Sequence, residues 1–348
     1  MPAERFQENP IISPCDVPPS RPDFEVVCVF NAGVARYGDE VLLLMRVAER
    51  PAKSGRHVRV PVLSCAAGGP SLDILAFDTA DSSLCFDDPR KIFTPTGTYL
   101  TTISHLRLAR SRDGRYFTVD PTPALVPDRP EEAFGLEDPR ITEIEGTFYI
   151  AYKSVSALGI CVSLASTRDF QHYVKHGIIF APENMDVCLF PERIDGRYVA
   201  LHRPVSLNIA AMNMWLAYSS DLQGWGDHRF VMGIRPGQWD GGRIGGSTIP
   251  VKTPQGWLEI YHGATPDNEY CLGAVLLDLT EPQRVLARSR EPLMRPNAPY
   301  EREGFMPRVV FSSGALVDGD TMTLYYGAAD WLMAGATLSV QEIIASLE

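Results

Sequence analysis

The sequence predicts an all-β protein, a five-bladed β-propeller, on three observations. Five segments share one shape: a strand, a turn dipeptide and a second strand. Turn dipeptides between alternating strands are the strongest short-range signal of a hairpin. The turn glycines at 146, 196, 256 and 319 lie 50, 60 and 63 residues apart, and self-similarity at that period marks a radial array of four-stranded sheets. Glycine and proline stand at 28 each, which suits many short strands and turns better than a helix bundle.

Taken in order, Glu4 to Ser20 is polar and proline-rich, with Asn9-Pro10 and Pro18-Pro19 as breakers, and is expected to lie over the surface up to a strand at Phe24 to Phe30. The first hairpin runs from Asn31 to Arg46 around Gly38. The second spans Glu137 to Lys153 and turns at Glu145-Gly146, and the third spans Leu189 to Arg203 and turns at Asp195-Gly196. The fourth spans Ser247 to Gly263 with Gln255-Gly256, and the fifth spans Gly314 to Gly327 with Asp318-Gly319. Outer hairpins are expected between them, at Arg107 to Phe117, Cys161 to Tyr173 and Trp215 to Phe230. Only Val340 to Leu347 has helical periodicity. Arg50 to Arg59 and Val126 to Ala133 come nearest to linkers, but each sits between strands and reads as a long loop. The expectation is one domain over residues 1–348, with an N-terminal extension (1–23) and a C-terminal segment (331–348) closing on it.

Apolar residues make up 45% of the chain and charged residues 22%, enough to bury a sizeable core. A formal charge of −11 excludes a phosphate-backbone binder, which needs clustered lysine and arginine, so no nucleic-acid partner is expected. No 18-residue apolar span appears, and Met1 to Pro10 lacks a basic stretch followed by an apolar run; the expectation is a cytoplasmic protein with no membrane partner. Seven dispersed cysteines, without a Cys-x-x-Cys pair, read as reduced thiols rather than a disulfide framework or a metal site. No metal or organic cofactor is expected, and homo-oligomerisation is left open.

The densest polar stretch is Gly135-Leu136-Glu137-Asp138-Pro139-Arg140, which sets two carboxylates and an arginine at the entrance of a strand. A propeller gathers its inner-strand ends around a central funnel. Residues at the ends of the repeated hairpins should therefore converge: Asn31, Arg46, Glu137, Asp138, Arg140, Asp186, His202, Arg203, Arg243, His262 and Asp330. Charges gathered in one funnel shift each other's pKa and favour a binding or catalytic role. Among the aromatic residues, Tyr149, Tyr152, Trp239, Tyr261, Tyr300, Tyr325, Tyr326 and Trp331 are candidates to stack on sugar rings, although strand aromatics mostly pack cores. No Gly-x-Ser-x-Gly elbow supports serine-hydrolase chemistry. The pairs Gly241-Gly242 and Gly245-Gly246 flank Arg243 but match no phosphate-loop or dinucleotide fingerprint.

Leu136-Glu137-Asp138-Pro139-Arg140, the stretch Asp186 to Pro204, Trp257 to Gly263, and Tyr325-Tyr326-Gly327-Ala328-Ala329-Asp330 together resemble glycoside hydrolase family 130, the β-mannoside phosphorylases and related β-mannosidases. The resemblance runs from Asn31 to Asp330 and implies a five-bladed propeller, in agreement with the repeat count. It also implies inverting cleavage of a β-mannoside by inorganic phosphate, as co-substrate, to α-mannose 1-phosphate. By resemblance Asp138 is the general acid, Arg203, Arg243 and His262 hold phosphate, and Asn31, Arg46, Glu137, Arg140, Asp186 and Asp330 hold the sugar. The opening Pro19 to Val27 resembles the β-1,2-oligomannoside branch.

One departure stands out. Phosphorylases of this kind carry a lysine or arginine just before the Asp of an Asn-x-Asp segment, and this chain has Met185 there. A missing cation weakens a phosphate site and keeps open an inverting β-mannosidase using water, for which Glu192, Glu259 and Asp240 are the available bases. A non-catalytic carbohydrate-binding propeller is the further alternative, although binding alone needs no acid at position 138.

Overall fold

Turn chemistry decides the strand pairing in this chain. Glu145 and Gly146 both adopt positive φ (52° and 74°), as do Asp195 and Gly196 (51° and 73°). That is the geometry whose twist matches the flanking strands. Each expected inner hairpin forms, though in the fourth and fifth the connecting pair is Pro254-Gln255 and Gly319-Asp320, one residue from the expected dipeptide. The computed structural model describes residues 3–52, 55–66, 69–206 and 208–348.

The fold is all-β, and its main strands fall into five consecutive antiparallel sets. The first comprises Phe24–Tyr37, Glu40–Pro51, Ile103–Ser111 and Thr118–Val119. The second comprises Gly135–Ile144, Thr147–Ser156, Gly159–Thr167 and Val174–Phe180, and a parallel bridge from Gly135 to Ser104 joins it to the first in one sheet. The third is Asn184–Leu189, Tyr198–Pro204, Met214–Ser219 and Gly226–Met232. In the fourth, Arg243–Gly246 and Val251–Thr253 share one partner, Gly256–Ala264, which continues to Tyr270–Leu277 and Val285–Arg288. The fifth is Val310–Asp318, Thr321–Ala328 and Leu332–Ser339.

The polar N-terminal stretch does not simply lie over the surface. Glu4–Arg5 pairs with Leu332–Ser339, completing the fifth set, and Phe6, Ile12 and Val17 are buried. The long interval between the first and second turns is filled by two hairpins absent from the sequence reading, His57–Ala66 with Gly69–Asp78 and Lys91–Thr94 with Gly97–Leu100. The first of these begins inside the expected loop Arg50 to Arg59, of which residues 53 and 54 lie outside the described residues. Helix is confined to short pieces; Val340–Ala345 falls where helical periodicity was read, capped by the Ser339 hydroxyl accepting from the Glu342 N–H at 3.1 Å. Among the described residues no helix is long and apolar enough to cross a membrane.

The apolar interior lies between sets rather than within one. Leu44 and Leu106 of the first set meet Leu136 and Ile150 of the second; Val162 and Leu164 of the second meet Leu189 and Ala200 of the third. Leu201 and Leu216 of the third meet Trp257 and Tyr261 of the fourth, and Leu258 and Ile260 of the fourth meet Leu324 and Tyr326 of the fifth. Tyr325 and Met333 of the fifth then meet Val34 and Leu43 of the first. Alternation along each strand makes this possible, because successive side chains face opposite neighbours. The polar residues left over from these interfaces are the ones at the inner-strand ends.

Candidate active site

Three first strands carry the same irregularity. Their pairing shifts register between Phe30 and Gly33, between Glu137 and Arg140, and between Met185 and Cys188. At each shift one polar residue adopts left-handed backbone: Asn31 at φ 49°, Asp138 at 45° and Asp186 at 57°. A bulge re-aims a side chain out of the alternating pattern, and asparagine and aspartate tolerate this conformation best among residues with a Cβ. Strain of this kind, of order 1–3 kcal/mol per residue, clusters at functional sites.

Around Asp138 the chain builds a charged box. Asn31 Nδ2 donates to Asp138 Oδ1 at 3.0 Å, and Arg46 Nη1 reaches the same oxygen at 3.3 Å. Arg46 Nη2 donates to Glu137 Oε1 at 2.5 Å and its Nε to the Ser104 hydroxyl at 3.2 Å. Lys153 Nζ pairs with Asp138 Oδ2 and stands 3.5 Å from Glu137 Oε2. Burial alone would raise the Asp138 pKa; Lys153 and Arg46 outweigh it and hold the carboxyl well below the usual range. Asp330 is pushed the other way, up to about 6, by burial and then by the charge of Asp138, against the pull of Arg46.

A second group surrounds Asp186. Arg140 Nη2 donates to Asp186 Oδ1 at 3.2 Å, Arg203 Nη2 pairs with Oδ2 at 2.8 Å, and His262 Nε2 lies 3.4 Å from Oδ2. Burial would raise the Asp186 pKa, but the guanidinium of Arg203, with Arg140 behind it, pulls it well below the normal value. Burial brings His262 down to about 4 despite the attraction of Asp186, so the imidazole is neutral at pH 7. The Ser247 hydroxyl is 3.2 Å from His262 Nδ1. Gly245 is required here: a Cβ on it would come within 2.6 Å of Asp186 Oδ2 and 2.7 Å of His262 Cε1. Arg140 ties the two groups together, since its Nη1 donates to the Asp138 backbone carbonyl at 3.2 Å and its Nη2 to the Gly246 carbonyl at 2.8 Å.

Arg203 also touches two thioethers, with Nη2 on Met185 Sδ and Nη1 3.8 Å from Met212 Sδ. Thioethers accept weakly. The ion pair with Asp186 is thus the strong contact of this guanidinium, and its buried Nε has no partner among the described residues. Arg243 stands at the edge of this group, donating to Asn268 Oδ1 and lying 5.0 Å over the Tyr270 ring.

The structure therefore gathers Asn31, Arg46, Glu137, Asp138, Arg140, Asp186, Arg203 and His262, with Asp330 close enough to feel Arg46 and Asp138. His202 does not join them. As the neighbour of Arg203 on a strand it faces the opposite way, bonding Asn184 through Nδ1 and His228 through Nε2 at 3.1 Å. Of the aromatic candidates, Tyr152, Tyr261, Tyr325 and Tyr326 are fully buried, Trp239 is nearly so, and Trp331, 40% exposed beside Asp330, is free to meet a sugar ring. Of the possible bases, Asp240 accepts from Arg235, Arg288 and Tyr261, Glu192 pairs with Lys252, and Glu259 is fully buried, with Oε1 accepting from the Ser247 N–H at 3.0 Å and Oε2 without a partner among the described residues.

Sequence reasoning missed Lys153 as a member of the site. A register count would have found it, since pairing outward from the turn Glu145-Gly146 places residue 153 opposite residue 138, and the bulge moves it to Glu137. Met212 and Ser247 carried no comparable signal.

Such a site can supply a carboxyl group on one side of a bound molecule and guanidinium N–H groups on the other, including the Nε of Arg203 and of Arg243, which have no partner among the described residues. A family model described as β-1,4-mannooligosaccharide phosphorylase matches residues 96–348. A β-1,2-mannobiose phosphorylase of Listeria innocua is 46% identical over 99% of this chain and 98% of its own length. A 1,2-β-oligomannan phosphorylase of a Thermoanaerobacter species is 39% identical over 72% of this chain and 83% of its own. The solved structure of the Listeria innocua protein in complex with β-1,2-mannobiose superposes with a TM-score of 0.96, covering 100% of this chain and 99% of that one.

Proposed function

The chain belongs to glycoside hydrolase family 130, and on that premise we propose that it cleaves β-1,2-mannobiose and short β-1,2-oligomannosides by inverting phosphorolysis, giving α-mannose 1-phosphate. The observation that carries this reading is the pairing of two unlike groups in one buried network. Asp138 sits at one end, Arg203 and His262 at the other, and Arg140 lies between them.

In an inverting cleavage a carboxylic acid protonates the leaving oxygen while the nucleophile attacks C1 from the opposite face. Asp138 takes the first role. Phosphate is the nucleophile and arrives as an anion, so it needs cations rather than a base; Arg203 and Arg243 hold its oxygens through forked N–H pairs, and the neutral His262 adds one N–H. Asn31, Arg46, Glu137, Asp186 and Asp330 hold and orient the mannosyl unit, with Trp331 at its rim; Arg140, buried and with its donors spent on Asp186 and backbone carbonyls, braces them from behind. Hydrolysis would need a carboxylate base facing a water molecule, and the engagement of Asp240 and Glu192 and the full burial of Glu259 argue against it. Met185 leaves the Arg203 charge intact, so a phosphate site survives its replacement of a cation.

The five sets and the cores between them support a single five-bladed β-propeller domain over residues 1–348, with the N-terminal strand closing on the C-terminal segment. Seven unpaired thiols suit a reducing cytoplasm. The expected products are testable by proton NMR during turnover of β-1,2-mannobiose with phosphate. The α anomer of mannose 1-phosphate appearing first supports inversion; the β anomer would contradict it.

A further inference from the structure

We propose that Lys153 is a positioning residue for the acid: it holds the Asp138 carboxylate ionised and aimed in the empty enzyme, so that saccharide binding is accompanied by uptake of a proton at Asp138. The proposal deepens the reading above and rests on it.

Lys153 lies on Thr147–Ser156, opposite Glu137, with its side chain only 13% exposed. Two cations and two carboxylates interlock there, because Arg46 takes one oxygen of each acid and Lys153 takes the other. Asp138 thus has N–H donors on both oxygens, Asn31 and Arg46 on Oδ1 and Lys153 on Oδ2. A donor at each oxygen favours the ionised form. That form cannot protonate a leaving group. An enzyme using Asp138 as acid must load it after the substrate arrives.

The surrounding charges show what drives the loading. Facing Asp138 are Glu137 beside it in the chain, Arg46 and Lys153 on neighbouring strands, Asp330 from the fifth set, and Arg140 on its backbone carbonyl, itself paired with Asp186. Within the box, Glu137, Asp138 and Asp330 oppose Arg46 and Lys153; Arg90, which also acts on Asp330, is itself paired with Asp88, so one negative charge is left in excess. Open water screens that excess. A sugar filling the site removes the water, raises the cost of the unbalanced charge, and makes binding of a proton favourable, at Asp138 by this proposal and at the raised carboxyl of Asp330 if the proposal fails.

The cycle balances. The Asp138 proton passes to the leaving oxygen as the C1–O bond breaks and a phosphate oxygen bonds to C1. The carboxylate returns to the state that Lys153 holds. The hydrogen phosphate ion that entered leaves as the phosphomonoester dianion, and the proton it gives up replaces the one taken from solvent.

Calorimetric titration with β-1,2-mannobiose, without phosphate and in buffers of different ionisation enthalpy near pH 7.5, reads the uptake directly. The wild-type enzyme is expected to take up about one proton per site, and Asp138→Asn to bind the sugar with uptake reduced to near zero. Lys153→Arg should keep the uptake. In Lys153→Met the acid is already protonated before binding, so the uptake shrinks and the alkaline limb of kcat/KM moves to higher pH. Binding by the wild type without proton uptake, or equal uptake by Asp138→Asn, would overturn the proposal. The phosphorylase reading fails separately, if the wild type forms no mannose 1-phosphate or Asp138→Asn keeps full turnover.

Discussion

Arg140 reaches from the second strand set to Asp186 of the third, Nη2 to Oδ1 at 3.2 Å, with both side chains about 2% exposed. The same guanidinium bonds the Ser247 carbonyl at 3.2 Å and the Gly246 carbonyl at 2.8 Å in the fourth set. One side chain therefore fixes three sets around the site. Removing it leaves a buried carboxylate short of a partner and takes a donor from three carbonyls, those of Asp138, Gly246 and Ser247, a loss of about 3–5 kcal/mol. Arg140→Ala should unfold at markedly lower urea concentration than the wild type, and equal midpoints would show that the network does not hold the sets.

The acid role proposed for Asp138 is separable from binding by experiment. Asp138→Asn should lower turnover of mannobiose by roughly 10²–10⁴-fold while the sugar still binds. An aryl β-mannoside with an acidic phenol needs no proton on its leaving oxygen, so the same variant should retain most of its activity on that substrate. Equal losses on both substrates would assign Asp138 to positioning instead.

The proposed phosphate site centres on Arg203. Replacing it with alanine removes charge-assisted hydrogen bonds of about 1.5–3 kcal/mol, which should raise KM for phosphate some ten- to hundredfold and leave mannobiose affinity nearly unchanged. Met185→Leu conserves volume beside the guanidinium, and activity should stay within a few-fold of wild type. Steady-state kinetics with each substrate varied in turn checks both.

Much of this architecture is written in local chemistry. Hairpins were legible because Glu145-Gly146 and Asp195-Gly196 demand left-handed backbone, and the candidate site because the ends of the repeated hairpins carry most of its charged residues. Two things were not. The bulges at Asn31, Asp138 and Asp186 are shifts of strand pairing that no turn dipeptide or alternation in the sequence announces. The pairing of Glu4–Arg5 with Leu332–Ser339 joins residues more than three hundred positions apart, so no short window of sequence reveals it.

Acid should destabilise the fold through its buried histidines. Burial lowers His105 and His202 to about 3 and His262 to about 4, from an ordinary value of 6.5. Between pH 6.5 and about 4 the unfolded chain therefore binds protons that the folded chain refuses, and stability falls as pH falls. Asp330, raised to about 6, opposes this over the lower part of the window. His105 lies outside the site, so His105→Gln should flatten the dependence of the urea midpoint on pH by one titrating group and leave activity intact. An unchanged slope would place His105 in contact with solvent.

The most direct test of the account is to incubate the protein with β-1,2-mannobiose, with and without millimolar phosphate, and to assay mannose 1-phosphate and free mannose. Equal amounts of mannose 1-phosphate and mannose, formed only when phosphate is present, are the predicted result. Two equivalents of mannose released regardless of phosphate would contradict it and identify water as the nucleophile.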